Sequence, residues 1–524
     1  MAFPYLFIKM EAGANPIHPP PLPDTSFQTA ALGVCRPFIY AASGRMEVPM
    51  KTDMPYIHLF KTPGGFYIYD VNKNTVIHID KATYELLEAD PAIEEPDSQN
   101  AEIKQLLERG YLSGQRIEEI EHPANELLAF HLENKVNSLI LQVTQQCNLR
   151  CEYCVYSGNY FNRTHANKRM GRETAFKAID FLFSHSRDSR RINVGFYGGE
   201  PLLEFGLIKD CIKYAEGKSE GKKLTFNLTS NGTLLTDEVV EFFQEHEVSV
   251  LISLDGPREM HDHHRKQAGN GCGSFDIIME NLEMLKKKHP QYMSKIRFNV
   301  VLDPQSDFTC VNEFFTTYEA VKEAGKTSSI ISNRYAKQDI KINEDFVIKR
   351  NYETFKVFLH KLGRLDGGYV SSLMLEEYNR LKKIHDINLV PTKSIGKKGH
   401  HGGPCVPGIT RLFINAYGDF YPCERVSEQS GVMKIGNIDT GFDIAKIESI
   451  LNVGRVSQEN CRNCWAFRFC YMCAAFADND TELSVDKKVS NCGEVRSLME
   501  QALKDYCTLK EMGHDFSDVR ELVV

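Results

Sequence analysis

The chain has 524 residues, of which 42% are hydrophobic and 25% charged, with a formal net charge of −8. These fractions are ordinary for a globular protein, and the length implies roughly two to four domains. No basic excess favours nucleic acid, no apolar run spans a bilayer, and MAFPYLFIKM lacks the basic start and length of a signal peptide, so no nucleic acid or membrane partner and a reducing, cytoplasmic location are expected.

Residues 1–53, with PIHPPPLP at 16–23, read as an irregular N-terminal arm. YIHLFK, GGFYIYDV and NTVIHID then read as three strands, broken at Gly64–Gly65 and Asn72–Lys73–Asn74. Asp80 is placed to N-cap a helix through KATYELLEA, and a second helix near 101–109 stops at Gly110. Residues 54–125 thus form a winged-helix-like module. Over 126–335, NSLILQVT, INVGFY, LTFNLTS, SVLISLD, IRFNVVL and TSSIISN read as strands alternating with helical periods. That alternation implies an α/β fold with a parallel sheet, whose site lies at the C-terminal strand ends. Residues 336–398 read as a helical bridge, 399–510 as a cysteine-rich domain and 511–524 as a tail.

Fifteen cysteines, an odd number, argue against a disulfide framework in a reducing compartment. Ten fall into three spaced groups; Cys35, Cys211, Cys272, Cys310 and Cys507 are scattered. The first group, Cys147, Cys151 and Cys154 in LQVTQQCNLRCEYC, follows the first barrel strand. Thiolates are the standard ligands of iron–sulfur clusters, and three of them leave one iron of a cubane open. A zinc site or three packed thiols is the alternative. FYGGEPLL (196–203), SNGTLL (230–235) and SLDGP (253–257) end the next three strands. Gly198 and Gly199 allow close backbone approach to a ligand. Asp255 fits turn chemistry, and Arg265 fits either a carboxylate pair or a solvated charge.

CNLRCEYC with Tyr153 before its last cysteine, GGEP, SNGT and SLDGPREMHDHHR together resemble the radical S-adenosylmethionine (SAM) superfamily. The resemblance implies a partial (β/α)6 barrel in which Cys147, Cys151 and Cys154 hold a [4Fe–4S] cluster and SAM chelates its open iron. It also implies that Gly198, Gly199 and Glu200 hold the amino end of SAM, that Ser253 lies near the ribose or carboxylate, and that Tyr153 lies near the adenine. Ser253 has a turn-capping reading as well.

In the C-terminal part, Cys405 is followed by Gly418 and Cys423, then by Cys461-x2-Cys464-x5-Cys470-x2-Cys473 and Cys492. This resembles the SPASM domain, which carries two auxiliary [4Fe–4S] clusters and brings the total to three. The resemblance implies that Cys461, Cys464, Cys470 and Cys492 hold one, and Cys405, Cys423 and Cys473 the other. The family's last spacing is usually C-x3-C; here it is C-x2-C. The second set has an open iron or a distant ligand such as Cys310, Cys272, His400 or His401. Glu424 resembles the general base of sulfatase maturases; its alternative is an ion pair with Arg425 or a lysine.

The N-terminal module resembles peptide-recognition domains that bind a leader as an added strand; a structural cap is the alternative. The expected function is thioether crosslinking of a ribosomally made, cysteine-rich precursor peptide, with a small electron donor such as flavodoxin or ferredoxin. The chain resembles ranthipeptide- and freyrasin-type maturases. Formylglycine formation, carbon–carbon crosslinking and a non-enzymatic electron carrier are the competing expectations.

Overall fold

The computed structural model describes residues 54–90, 100–219, 221–403 and 405–517. The arm expected over 1–53 and the end of the expected tail lie outside the described residues. Strands β1 (Ile57–Lys61), β2 (Phe66–Asp70) and β3 (Thr75–Ile79) form an antiparallel sheet in chain order. The Asp80 carboxylate accepts from Thr83 N at 2.6 Å and starts helix α1 (Lys81–Ala89). Asn100 caps α2 (Ala101–Glu108), which ends before Gly110 at φ 74°.

Side chains alternate across this sheet. Ile68 and Ile79 pack with Tyr84, Leu87, Ile103 and Leu106 in a small core, while Phe60, Tyr67 and Tyr69 join the main core. The main-core face rests on the cysteine-rich segment. Tyr56 Oη donates to Cys464 O at 2.8 Å, Arg468 Nε donates to Val71 O at 2.9 Å, and the His58 ring stacks on Trp465 at 3.7 Å.

After β4 (Glu119–Ile120) and α3 (Leu128–Asn134), the barrel begins with β5 (Ser138–Thr144) and the short β6 (Leu149–Cys151). It continues through α4 (Arg172–Ser184), β7 (Arg191–Gly198), α5 (Phe205–Glu216), β8 (Lys223–Ser230), α6 (Asp237–Glu245) and β9 (Ser249–Ser253). Then come α7 (Arg258–His264), β10 (Arg265–Gln267), α8 (Phe275–Lys288), β11 (Ile296–Leu302), α9 (Phe308–Thr317) and β12 (Gly325–Ile330). Strands β5, β7, β8, β9, β11 and β12 are parallel neighbours in that order, with helices between them.

Helices α10 (Glu344–Lys361) and α11 (Leu375–Lys383) form the bridge, and β13 (Lys398–Gly399) pairs with β4. The next strand changes the expected organisation. β14 (Leu412–Ile414) adds to the open edge of β5 in parallel, with Leu412 opposite Leu139. β15 (Asp419–Tyr421), β16 (Gly436–Asn437) and β17 (Gly441–Phe442) extend the same sheet to ten strands. The cysteine-rich segment is therefore continuous with the barrel. It ends in α12 (Ile444–Leu451), α13 (Gln458–Arg462), α14 (Val485–Ser490) and α15 (Cys492–Glu511). Beyond α15 the chain still packs: Phe516 is buried and stacks on Tyr378 of α11. No helix among the described residues is long and apolar enough to cross a membrane.

Candidate functional site

The triplet loop starts where β5 ends. β6 pairs antiparallel with β10, which sets Cys151 opposite Arg265. Each sulfur has a donor: Leu149 N lies 3.3 Å from Cys147 Sγ, Tyr156 N 3.5 Å from Cys154 Sγ, and Arg265 Nη1 4.0 Å from Cys151 Sγ. Gly199 N and Glu200 N donate to Thr144 O and Gln146 O at 2.9 and 2.8 Å, lacing the GGE turn to this loop. A Cβ on Gly198 would lie 2.0 Å from Thr144 O, and one on Gly199 2.0 Å from Gln146 O. The close approach expected toward a ligand is thus, in the first place, an approach of two backbones.

Glu200 is turned inward. Its carboxylate accepts from Leu202 N at 3.0 Å, Ser230 Oγ at 2.9 Å and Asn231 N at 2.7 Å, so it ties the GGEP turn to SNGT. Burial pushes its carboxyl up to about 7 against those three hydrogen bonds. Ser253 ends β9, buried, in register with Asn299.

Asp255 and Arg265 form a buried pair, Nε to Oδ2 2.8 Å and Nη2 to Oδ1 3.1 Å. Tyr153 Oη donates to the same carboxylate, and Val301 N adds a bond at 3.1 Å. Burial pushes the Asp255 carboxyl up, but the charge and hydrogen bonds of Arg265 outweigh it and hold it below the usual range. His261, lowered to about 3 chiefly by burial, takes Asp255 N at Nδ1 and meets Ser274 Oγ at Nε2. Of the two readings of Arg265, the carboxylate pair holds and the solvated charge does not, and Asp255, read only as a turn residue, is its partner. Asp255 also lines a cleft of about 310 Å³ with Met260, His264, Val301 and Asp303.

Cys151 is buried, and Cys147 and Cys154 are partly so. Burial pushes Cys147 and Cys151 up to about 12, with neighbouring thiolates adding to the rise. A bound metal reverses that logic by deprotonating a coordinating thiol outright. Among the described residues, only Glu152, His263 and His264 bring three ligand atoms within 4.8 Å of one another. One tetrahedral zinc would hold its thiolates about 3.8 Å apart. The cysteines are spread more widely than that, as a multi-iron cluster with thiolate ligands requires. Donors to each sulfur together with this spread fit a cluster better than a single ion.

The C-terminal cysteines fall into two neighbourhoods. Burial raises Cys464, Cys470 and Cys492, and each also feels the thiolate of Cys461. Burial likewise raises Cys405, and Cys423 to about 11, with Cys473 acting on both. The structure therefore brings together Cys461, Cys464, Cys470 and Cys492 as one set, and Cys405, Cys423 and Cys473 as the other, despite the shortened spacing before Cys473. Cys272 and Cys310 are exposed on the barrel, in the turn after β10 and on α9. His400 is occupied by Gly454 N and His401 O, and His401 lies buried in the field of Lys488.

A family model described as the radical SAM superfamily matches residues 141–307. This is an enzyme with a radical SAM domain. The serine-type anaerobic sulfatase-maturating enzyme of Bacteroides thetaiotaomicron is 34% identical over 28% of this chain and 36% of its own. The radical SAM cyclopropyl synthase TigE of Paramaledivibacter caminithermalis is 23% identical over 38% of this chain and 43% of its own. This chain thus spans about two fifths of each of those two curated relatives. Among solved structures, native anSMEcpe with bound AdoMet is 20% identical over 72% of this chain and 99% of that chain, with a TM-score of 0.54, a likeness of fold. The superfamily implies SAM and a [4Fe–4S] cluster.

The radical SAM domain is joined to the cysteine-rich segment by a buried ion pair that sequence reasoning missed. Arg163, after the triplet loop, pairs with Glu428 through Nε, and its Nη1 and Nη2 donate to Glu424 O at 2.5 Å and Val426 O at 3.2 Å. Gln142 of β5 donates to Glu428 Oε1 at 2.6 Å and to Tyr156 Oη at 2.8 Å. Nothing in the local pattern marks Arg163, because its partner is 265 residues away. Glu424 itself pairs with the expected Arg425 at 3.6 Å and, more closely, with Arg411 at 2.8 Å, a partner the sequence did not suggest. Its second oxygen, Oε2, is buried and unpartnered.

Proposed function

We propose that this enzyme is a radical SAM maturase that forms thioether crosslinks in a ribosomally made, cysteine-rich peptide. Cys147, Cys151 and Cys154 would hold the first cluster, and the two C-terminal sets would hold two auxiliary clusters. The observation that carries the reading is the set of three thiols, Cys405, Cys423 and Cys473, next to a carboxylate with a free, buried oxygen. Three protein thiolates leave one position of a cubane for a substrate sulfur, whose thiol a metal acidifies.

When bound, SAM and the reduced cluster supply a 5′-deoxyadenosyl radical that removes hydrogen from the substrate. The chain's residues position and shield that chemistry. The Asp255–Arg265 pair fixes Tyr153 beside the cleft, and Gly198 and Gly199 set the triplet loop against the GGEP turn. Ser253 is assigned to the ribose or carboxylate of SAM. Glu424 Oε2, buried and without a partner, would receive the thiol proton, while Oε1 pairs with Arg411. β3 is an edge of the N-terminal sheet, whose β1 side is fixed to Trp465, so a leader would add to β3. The open thiol chemistry suits a reducing cytoplasm and a flavodoxin- or ferredoxin-like donor.

The test is a search of the neighbouring reading frames for a short cysteine-rich peptide, then its anaerobic reaction with reconstituted enzyme, read by mass spectrometry. Each crosslink removes a hydrogen pair and protects one thiol from alkylation. Unchanged mass with every thiol alkylated sinks the reading. The likeness to a serine-type sulfatase-maturating enzyme favours formylglycine formation as the second reading. A product carbonyl that reacts with a hydrazide probe would select it.

A further inference from the structure

Lys488, on α14, is fully buried. Its ammonium has two recorded partners, Ser457 Oγ at 2.7 Å and Cys461 Sγ at 3.2 Å, and Ser457 Oγ lies 3.3 Å from the same sulfur. Among the described residues no carboxylate is paired with it. A buried ammonium is costly unless an anion or strong acceptors compensate it, and here the Cys461 sulfur is the group able to carry that negative charge. His400 and His401 lie in its field, but an imidazole is neutral or cationic and supplies no negative charge.

The other C-terminal set is surrounded differently. Glu424 adjoins Cys423 and raises its thiol after burial. One set therefore has a cation without a carboxylate partner against a ligand sulfur, and the other has a carboxylate already paired with Arg411 and Arg425. Net charge and hydrogen bonds to the sulfurs are principal controls on iron–sulfur potentials. A cation hydrogen-bonded to a ligand sulfur favours the state with one more electron.

We propose that Lys488 is a positioning and tuning residue for the cluster on Cys461, Cys464, Cys470 and Cys492, making it the more easily reduced of the two auxiliary clusters. This rests on the cluster assignment under the proposed function. The nearer of the two auxiliary sets to the barrel sheet would then bind substrate, and the Lys488 set would be the electron store.

The experiment uses the full-length chain with Cys147, Cys151 and Cys154 changed to Ala, so that only auxiliary clusters remain, reconstituted with iron and sulfide. EPR-monitored redox titration is compared for this parent and for its Lys488→Met and Lys488→Arg versions. The expected result is unchanged iron content in the methionine version, with one midpoint potential moved to a more negative value, the other unmoved, and recovery toward the parent with arginine. Unmoved midpoints at full iron content overturn the proposal and leave the cluster assignment standing. No iron bound by the parent overturns both. Should the methionine version fail to hold iron, the parent labelled with 15N-lysine decides: nitrogen coupling in the pulsed EPR of the reduced protein supports the contact, and its absence overturns it.

Discussion

The loop carrying Cys147, Cys151 and Cys154 and the segment carrying the seven C-terminal cysteines hold their thiols by different means. The loop is short, and its supports are long: β5, β7, β8 and β9 all end around it, and every strand end contributes a contact. Of the C-terminal cysteines, Cys461 lies on the short α13 and Cys492 opens α15, while Cys405, Cys423, Cys464, Cys470 and Cys473 lie in irregular chain. Their surroundings differ in charge too. Arg265 beside Cys151 is already neutralised by Asp255, Lys488 beside Cys461 has no carboxylate partner, and Cys423 adjoins a carboxylate. A regular scaffold lets one motif fix a site, whereas an irregular one needs the whole segment.

The difference can be broken most severely at the loop. Cys151→Ala should reduce SAM cleavage to background and remove one cluster's iron, read by product chromatography and iron assay, while the two auxiliary sets stay loaded. The join between the regions comes next. Arg163→Met leaves Glu428 buried without its cation, and breaking such a pair costs about 3–5 kcal/mol. Denaturant unfolding should show that loss, and an unchanged midpoint would make the join unimportant.

A smaller effect separates the regions by pH. The folded Glu200 carboxyl titrates near 7, above its ordinary value of 4.5. Its contribution to stability is fully present below the ordinary value and is lost as pH rises through about 7. Glu200→Gln should flatten that part of the stability profile, followed by thermal unfolding between those limits. The smallest effect is expected from Cys272→Ser and Cys310→Ser, exposed on the barrel, which should leave the iron content unchanged. A loss of iron in either would make it the distant ligand.

The sequence was informative where chemistry sits at regular strand ends. The α/β alternation, the Asp80 cap and the Gly110 stop were all legible, because local periodicity and backbone preference decide them. Gly198 and Gly199 were legible as necessary, though the neighbour that excludes a Cβ is the Thr144–Gln146 backbone. Arg265 read equally as a solvated charge, since pairing with Asp255 depends on β10 folding back on β6. Lys488 reads as an ordinary surface lysine in VDKKVS, and only the packing of α14 against Ser457 reveals its burial. β14, three residues long, carries no periodicity from which its place beside β5 could be read.

That strand has a consequence for biogenesis. As the chain leaves the ribosome, β5 is made early, but the partner that covers its free edge arrives about 270 residues later, and domains generally form from the N-terminus as synthesis proceeds. Through that interval the nascent barrel presents an unpaired strand edge, a template for wrong pairing. Production in a host should therefore depend on chaperone supply, and truncation before residue 412 should give aggregates in place of a smaller working barrel.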